Sequence, residues 1–172
     1  MRFDMDLSQA ERVINGKRLL IVDDEKDVLD TLVSLLWGCK IDAVSSFEEA
    51  RKLLETNTYD LAILDIMGVD GHSLLALAVK RKIPALMLTA HALSREDLTL
   101  SAKSGASYFV PKDKMSEIAI YMADVLAAKK ESKSAWIKWF ERLGGFFDQK
   151  FGGTDWRDRD KDLWERMTRS YS

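Results

Sequence analysis

Polar residues follow four short apolar runs of this chain, and their side chains could form one chemical site. The groups are two adjacent carboxylates, a third carboxylate, a hydroxyl and an ammonium group, on Asp23 and Asp24, Asp65, Thr89 and Lys112. If each run is a buried parallel strand, its last residue lies at the carboxyl edge of one sheet, where open α/β folds bind their ligands. Three carboxylates at one place repel one another unless a cation lies among them, and a divalent cation of the magnesium type prefers oxygen ligands. A lysine and a hydroxyl beside them favour a phosphoryl group as the ligand.

The elements that must position these residues alternate between strand and helix. Apolar runs predict strands at 18–22, 41–44, 61–64, 85–88 and 107–110. The segments between them carry apolar residues at helical spacing, with Ser46 and Ser94 as helix caps, and the helix after the last strand is predicted to begin at Met115. Five alternations of strand and helix predict a parallel sheet with helices on both faces and right-handed crossovers.

Taken in order, the Asp-Asp pair, the single Asp, the Thr and the Pro-Lys resemble the receiver domain of two-component response regulators. The resemblance covers roughly residues 17 to 128. It implies an α/β fold of the flavodoxin-like, CheY-like type: a doubly wound five-stranded parallel sheet of order 2-1-3-4-5. The chain is accordingly divided into an N-terminal arm (1–16), a receiver domain (17–128) and a helical, aromatic-rich C-terminal extension (129–172).

The resemblance also implies a role for each site residue. Asp65 is the phosphoacceptor, which receives its phosphoryl group from a histidine kinase or a histidine phosphotransfer protein. The implied cofactor is Mg²⁺, bound by Asp23, Asp24, Asp65 and the backbone carbonyl of Met67. Phosphorylation then switches a protein-interaction surface.

Three further residues take roles from the same resemblance. Lys112 pairs with the phosphoryl oxygens, and the Thr89 hydroxyl moves toward the phosphoryl group on activation. Phe109 occupies the aromatic switch position, although an aromatic residue in an edge strand is also typical of simple packing. The family pattern further implies a cis peptide bond before Pro111.

The loop after Asp65 departs from the family pattern. Gly71 lies six positions after Asp65 instead of eight, and the loop has no proline. The alternative hypothesis is therefore a pseudo-receiver, an interaction module that is not phosphorylated. In the family pattern, Met67 and His91 occupy the two positions near the water that hydrolyses the aspartyl phosphate. A second rival, an aspartyl-phosphate phosphohydrolase, would carry a second acid at the position of Met67.

The composition is that of an ordinary soluble globular protein. The 172 residues are 47% hydrophobic and 31% charged, and the formal net charge is −2. This charge, and the absence of a recognition-helix pattern, argue against direct DNA binding. The single cysteine, Cys39, indicates a reducing compartment, and no apolar run is long enough to span a membrane. We expect a cytoplasmic protein that is not an enzyme, and we regard membrane binding as unfavoured.

The C-terminal extension concentrates aromatic residues. Four of the five tryptophans lie beyond residue 135. The candidate interaction residues of this tail are Trp136, Trp139, Phe140 and Phe147. Such a face could fold back onto the receiver domain, form a homodimer, bind a partner or lie on a membrane surface. A second amphipathic helix is predicted over 157–169, after a break at 152–153.

Overall fold

Five parallel strands form one sheet in the computed structural model, which describes residues 5–90 and 94–169. The strands are β1 Arg18–Val22, β2 Lys40–Val44, β3 Leu61–Asp65, β4 Ala85–Thr89 and β5 Tyr108–Pro111. Their spatial order is β2-β1-β3-β4-β5, and every neighbouring pair is parallel. The predicted fold class is therefore confirmed.

Nine α-helices and one 3-10 helix are found in the described part of the chain. They are α1 Leu7–Ile14, α2 Lys26–Leu35, α3 Phe47–Thr56, α4 Gly71–Lys80, α5 Arg95–Lys103, the 3-10 helix Lys112–Glu117, α6 Ile118–Lys130, α7 Trp136–Lys150, α8 Asp155–Arg159 and α9 Lys161–Met167. The predicted caps are found, because the side chains of Ser46 and Ser94 accept hydrogen bonds from the backbone at Glu49 and Asp97. Within this part of the chain, no helix is long and apolar enough to cross a membrane.

The three central strands are continuous apolar runs because both faces of the sheet are covered. All residues of β3 and β4 are buried, as are the last four of β1. Strand β2 lies at one edge and is only partly buried. Strands buried on both faces are continuous apolar runs, whereas half-exposed strands alternate apolar and polar residues. This continuity made the strands recognisable in the sequence.

The N-terminal arm is a docked helix from residue 7 onward. A capping box between Asp6 and Gln9 begins α1, which packs mainly against α6. Its residues Ala10 and Ile14 are buried, and the Cys39 thiol donates a hydrogen bond to the Ile14 carbonyl at 3.3 Å.

The C-terminal tail, residues 136–167, folds back onto its own receiver domain. Helix α7 lies along β5, and the rings of Trp136, Trp139 and Phe147 are buried. Of the arrangements open from the sequence, self-docking is the one found. The predicted single helix over 157–169 was wrong, because the chain forms two short helices that meet at Asp160.

Candidate functional site

Asp65, Asp23 and Lys112 meet at the carboxyl edge of the sheet. Asp65 is the last residue of β3, Asp23 follows β1, and Lys112 follows β5. The Lys112 Nζ lies 3.0 Å from Asp23 Oδ2 and 3.4 Å from Asp65 Oδ1. Both carboxylates are buried, at 0% and 3% exposure. The topology therefore places one ammonium group between carboxylates from two different strands.

Glu25 is a further member of the site that the sequence interpretation missed. Its Oε1 accepts a hydrogen bond from Lys112 Nζ at 2.9 Å, and its backbone N–H donates to Asp23 Oδ1 at 2.9 Å. Glu25 occupies the N-cap position of α2, although its side chain makes no capping hydrogen bond, and it is the third consecutive acid of the chain after Asp23 and Asp24. That run of three acids was the available signal.

Burial sets the protonation behaviour of these groups. Burial, reinforced by the charge of Asp23, raises the pKa of Asp65 to about 7 against the opposing charge of Lys112. Burial likewise raises the pKa of Asp23 above its usual value. For Lys112 burial lowers the pKa, but hydrogen bonds to Glu25 and Asp23 and the charge of Asp65 outweigh it, so the pKa is raised. Lys112 therefore stays a cation at neutral pH.

The carboxylates form a donor set that fits a hard divalent cation. Carboxylate oxygens of Asp23, Asp24 and Glu25 all lie within 4.8 Å of one another. Among the described residues, the buried Asp23 Oδ2 has Lys112 Nζ, 3.0 Å away, as its one polar partner. Oxygen ligands with room for retained waters are what Mg²⁺ prefers. The predicted assignment of Asp23, Asp24, Asp65 and the Met67 carbonyl as its ligands stays a prediction.

The short loop after Asp65 depends on glycine at two positions. Gly68 has a φ of +80°, and a Cβ there would collide with the carboxylate of Asp24. At Gly71 a Cβ would collide with the backbone carbonyl of Asp65. This loop, which is shorter than the family pattern, thus packs closely around Asp24 and Asp65, and Met67, just before Gly68, is 70% exposed.

The remaining predicted residues lie on β4 and β5. Thr89 ends β4, is 4% exposed and pairs with Pro111 across the ladder. Phe109 is fully buried, and its ring centroid lies 5.8 Å from that of Phe147 in the tail. The expected cis bond before Pro111 was wrong, because that bond is trans. His91 lies outside the described residues.

Comparison with known proteins decides the family. The family model of the response regulator receiver domain matches residues 19–122, which is more than half of the chain. The chain belongs to the response regulator receiver domain family.

Individual relatives agree with this receiver domain assignment. The chain is 40% identical over 99 residues to the heme response regulator HssR of Staphylococcus aureus, covering 54% of this chain and 43% of that protein. It is 37% identical over 83 residues to the two-component response regulator ARR18 of Arabidopsis thaliana, covering 44% of this chain and 13% of that protein. The receiver domain thus spans less than half the length of these curated relatives.

Solved structures show the same fold. The receiver domain of the Francisella response regulator 1452 has a TM-score of 0.59 and 25% identity, covering 66% of this chain and 99% of that one. A putative response regulator from Chloroflexus aurantiacus has a TM-score of 0.58 and 28% identity, with the same two coverages.

Proposed function

We propose that this receiver domain accepts a phosphoryl group on Asp65 from a histidine kinase or a histidine phosphotransfer protein, in a magnesium-dependent reaction. The observation that carries the proposal is the Lys112 ammonium 3.4 Å from the Asp65 carboxylate, at the sheet edge where Asp23 also lies. A cation held there can pair with phosphoryl oxygens as they arrive.

The chemistry follows from the nucleophile. A carboxylate oxygen of Asp65 attacks phosphorus, the bond from phosphorus to the donor nitrogen or oxygen breaks, and an acyl phosphate forms. The electron pair of the broken bond leaves with the donor, which takes a proton from solvent when it is a histidine. A bound Mg²⁺ would neutralise charge on the transferring group. Asp23, Asp24 and Asp65 would hold that ion, with Glu25 adding negative charge beside it.

The rival function is a pseudo-receiver that has lost phosphorylation with its shortened loop. The two functions differ in one measurable product. Incubation of the intact chain with acetyl phosphate and Mg²⁺ is expected to add the mass of one phosphoryl group, and EDTA is expected to prevent this.

Two matched variants identify the acceptor. Asp65→Asn removes the nucleophile and is expected to abolish the mass increment. Asp70→Asn removes an equal charge from the exposed loop, and Asn tolerates the left-handed φ of 51° at that position. This variant is expected to gain the same mass increment as the wild-type chain. A wild-type chain that gains no phosphoryl group, either from acetyl phosphate or from an autophosphorylated histidine kinase, would establish the pseudo-receiver instead.

A further inference from the structure

The free edge of β5 is covered by the tail. Strand β5 pairs with β4 on one side only. On its other side the Trp139 indole N–H donates a hydrogen bond to the Phe109 carbonyl at 2.7 Å. The Trp136 indole N–H donates to the carbonyl of Ala106, just before β5, at 3.0 Å. Unpaired strand edges are usually protected in native proteins, and here Trp139 takes that role on β5 while Trp136 binds the segment just before it.

A buried ion pair fixes the tail to α6. Asp124 of α6 is buried, and its carboxylate accepts hydrogen bonds from the Tyr108 hydroxyl at 2.8 Å and from Arg142 Nε of α7 at 2.6 Å. A buried carboxylate is costly unless it is paired, and the pairing cation comes from the tail. The tail is therefore part of the folded unit.

An aromatic cluster connects β5 with the three tail helices. The Phe109 ring contacts Phe147, whose ring stacks on Trp139 with centroids 5.2 Å apart. Trp139 in turn contacts Trp156 of α8 and Trp164 of α9 at 6.2 and 6.1 Å. A shift of the β5 backbone or of Phe109 therefore changes contacts that hold α7, α8 and α9 together.

The acid site and the tail both contact the segment of β5 and the residue that follows it. Lys112, which bridges Asp65, Asp23 and Glu25, directly follows the four-residue strand β5 and lies three residues after Phe109. A phosphoryl group on Asp65 adds negative charge and three acceptor oxygens, and so redistributes the contacts of Lys112. Lys112 and Phe109 therefore belong to one short segment that contacts the acid site at its end and the aromatic cluster of the tail in its middle.

We propose that the tail is the intramolecular partner of β5. Phosphorylation of Asp65 loosens the contacts of the tail with Phe109 and thereby opens the β5 edge. This inference rests on the proposed phosphorylation of Asp65. Coupling between two sites is reciprocal. Weakening the contact of the tail with β5 therefore tightens the binding of a phosphoryl mimic.

Hydrogen exchange on the intact chain tests the inference directly. Saturation with beryllofluoride and Mg²⁺ is expected to protect the loop 65–71 and to accelerate amide exchange in 136–150 and 155–167. Protection of the loop with unchanged exchange in the tail would overturn the inference and leave the proposed function standing. Failure of the mimic to protect the loop would overturn this inference, and the acetyl phosphate experiment decides separately whether the proposed phosphorylation of Asp65 also fails.

Two tryptophan variants test the route through β5. Trp139→Phe and Trp136→Phe each keep an aromatic ring and remove one indole donor to a backbone carbonyl, but only the Trp139 bond reaches β5. We expect Trp139→Phe to lower the Kd for beryllofluoride about fivefold, the lower end of typical allosteric coupling, and Trp136→Phe to change it little. An unchanged Kd in Trp139→Phe, or equal shifts in both variants, would refute the route. If Trp139→Phe does not fold, the exchange experiment on the wild-type chain decides.

Discussion

Replacing Arg142 by Met is expected to destabilise the chain strongly, because it leaves the Asp124 carboxylate buried without its cation. The Arg142 side chain is 18% exposed and that of Asp124 only 3%. Breaking a buried pair by removing one partner costs about 3 to 5 kcal/mol. Since the Tyr108 hydroxyl still donates to Asp124 at 2.8 Å, we expect the lower end, about 3 kcal/mol. For a chain of this length that lowers the Tm by about 6 to 12 °C.

The assay is urea unfolding followed by circular dichroism, with calorimetry for the Tm. Lys138→Met is the matched control on the same helix, because Lys138 forms a partly exposed pair with Glu141 at 3.2 Å. That change is expected to cost less than about 1 kcal/mol. The double variant Arg142→Met with Asp124→Asn is expected to recover much of the loss, since it removes the uncompensated charge. A loss below about 1 kcal/mol in Arg142→Met, or no recovery in the double variant, would refute the reasoning.

Three further predictions concern the acid site and the thiol. Gly71→Ala is expected to lower the free energy of unfolding by about 1 to 3 kcal/mol in urea, because its Cβ would collide with the Asp65 carbonyl. Glu25→Gln removes a charge beside the candidate cation site, and is expected to weaken Mg²⁺ binding about fivefold by calorimetric titration. Burial raises the pKa of Cys39 from 9.0 to about 11. At pH 8 its thiolate population is then about 100-fold below that of an ordinary thiol, and alkylation by iodoacetamide is expected to be slower by about that factor.

Each of these predictions has its own control. Gly145→Ala, in helix α7 where a Cβ meets open space, is expected to leave stability unchanged or raise it by up to about 1 kcal/mol. Asp27→Asn removes an equal charge from the exposed side of α2 and is expected to affect Mg²⁺ affinity less than Glu25→Gln. For Cys39 the urea-unfolded chain is the reference, and equal alkylation rates in the native and unfolded chains would show that burial does not protect the thiol.

The convergence of the acids and the lysine was predictable from the sequence because buried parallel strands are continuous apolar runs. Each run marks its own carboxyl end, and the fold brings these ends to one edge. Glu25 was not predictable in the same way, because it lies two residues beyond Asp23, at the N-cap position of α2, and does not itself end an apolar run.

The tail shows where a sequence pattern stops being informative. Helical spacing identified the aromatic face of α7, but not the surface that the face covers. The hydrogen bonds of Trp136 and Trp139 to backbone carbonyls depend on three-dimensional placement alone. Local periodicity likewise did not predict the break at Asp160, and the family resemblance did not predict the trans bond before Pro111.

The central claim is that the Asp65 carboxylate carries the phosphoryl group, and chemical trapping tests it most directly. Treatment with acetyl phosphate and Mg²⁺, followed by borohydride reduction, converts an aspartyl phosphate to homoserine at the modified position. Tandem mass spectrometry of the digested chain is predicted to find homoserine at position 65. Homoserine at 23 or 24, or at no position, would contradict the account.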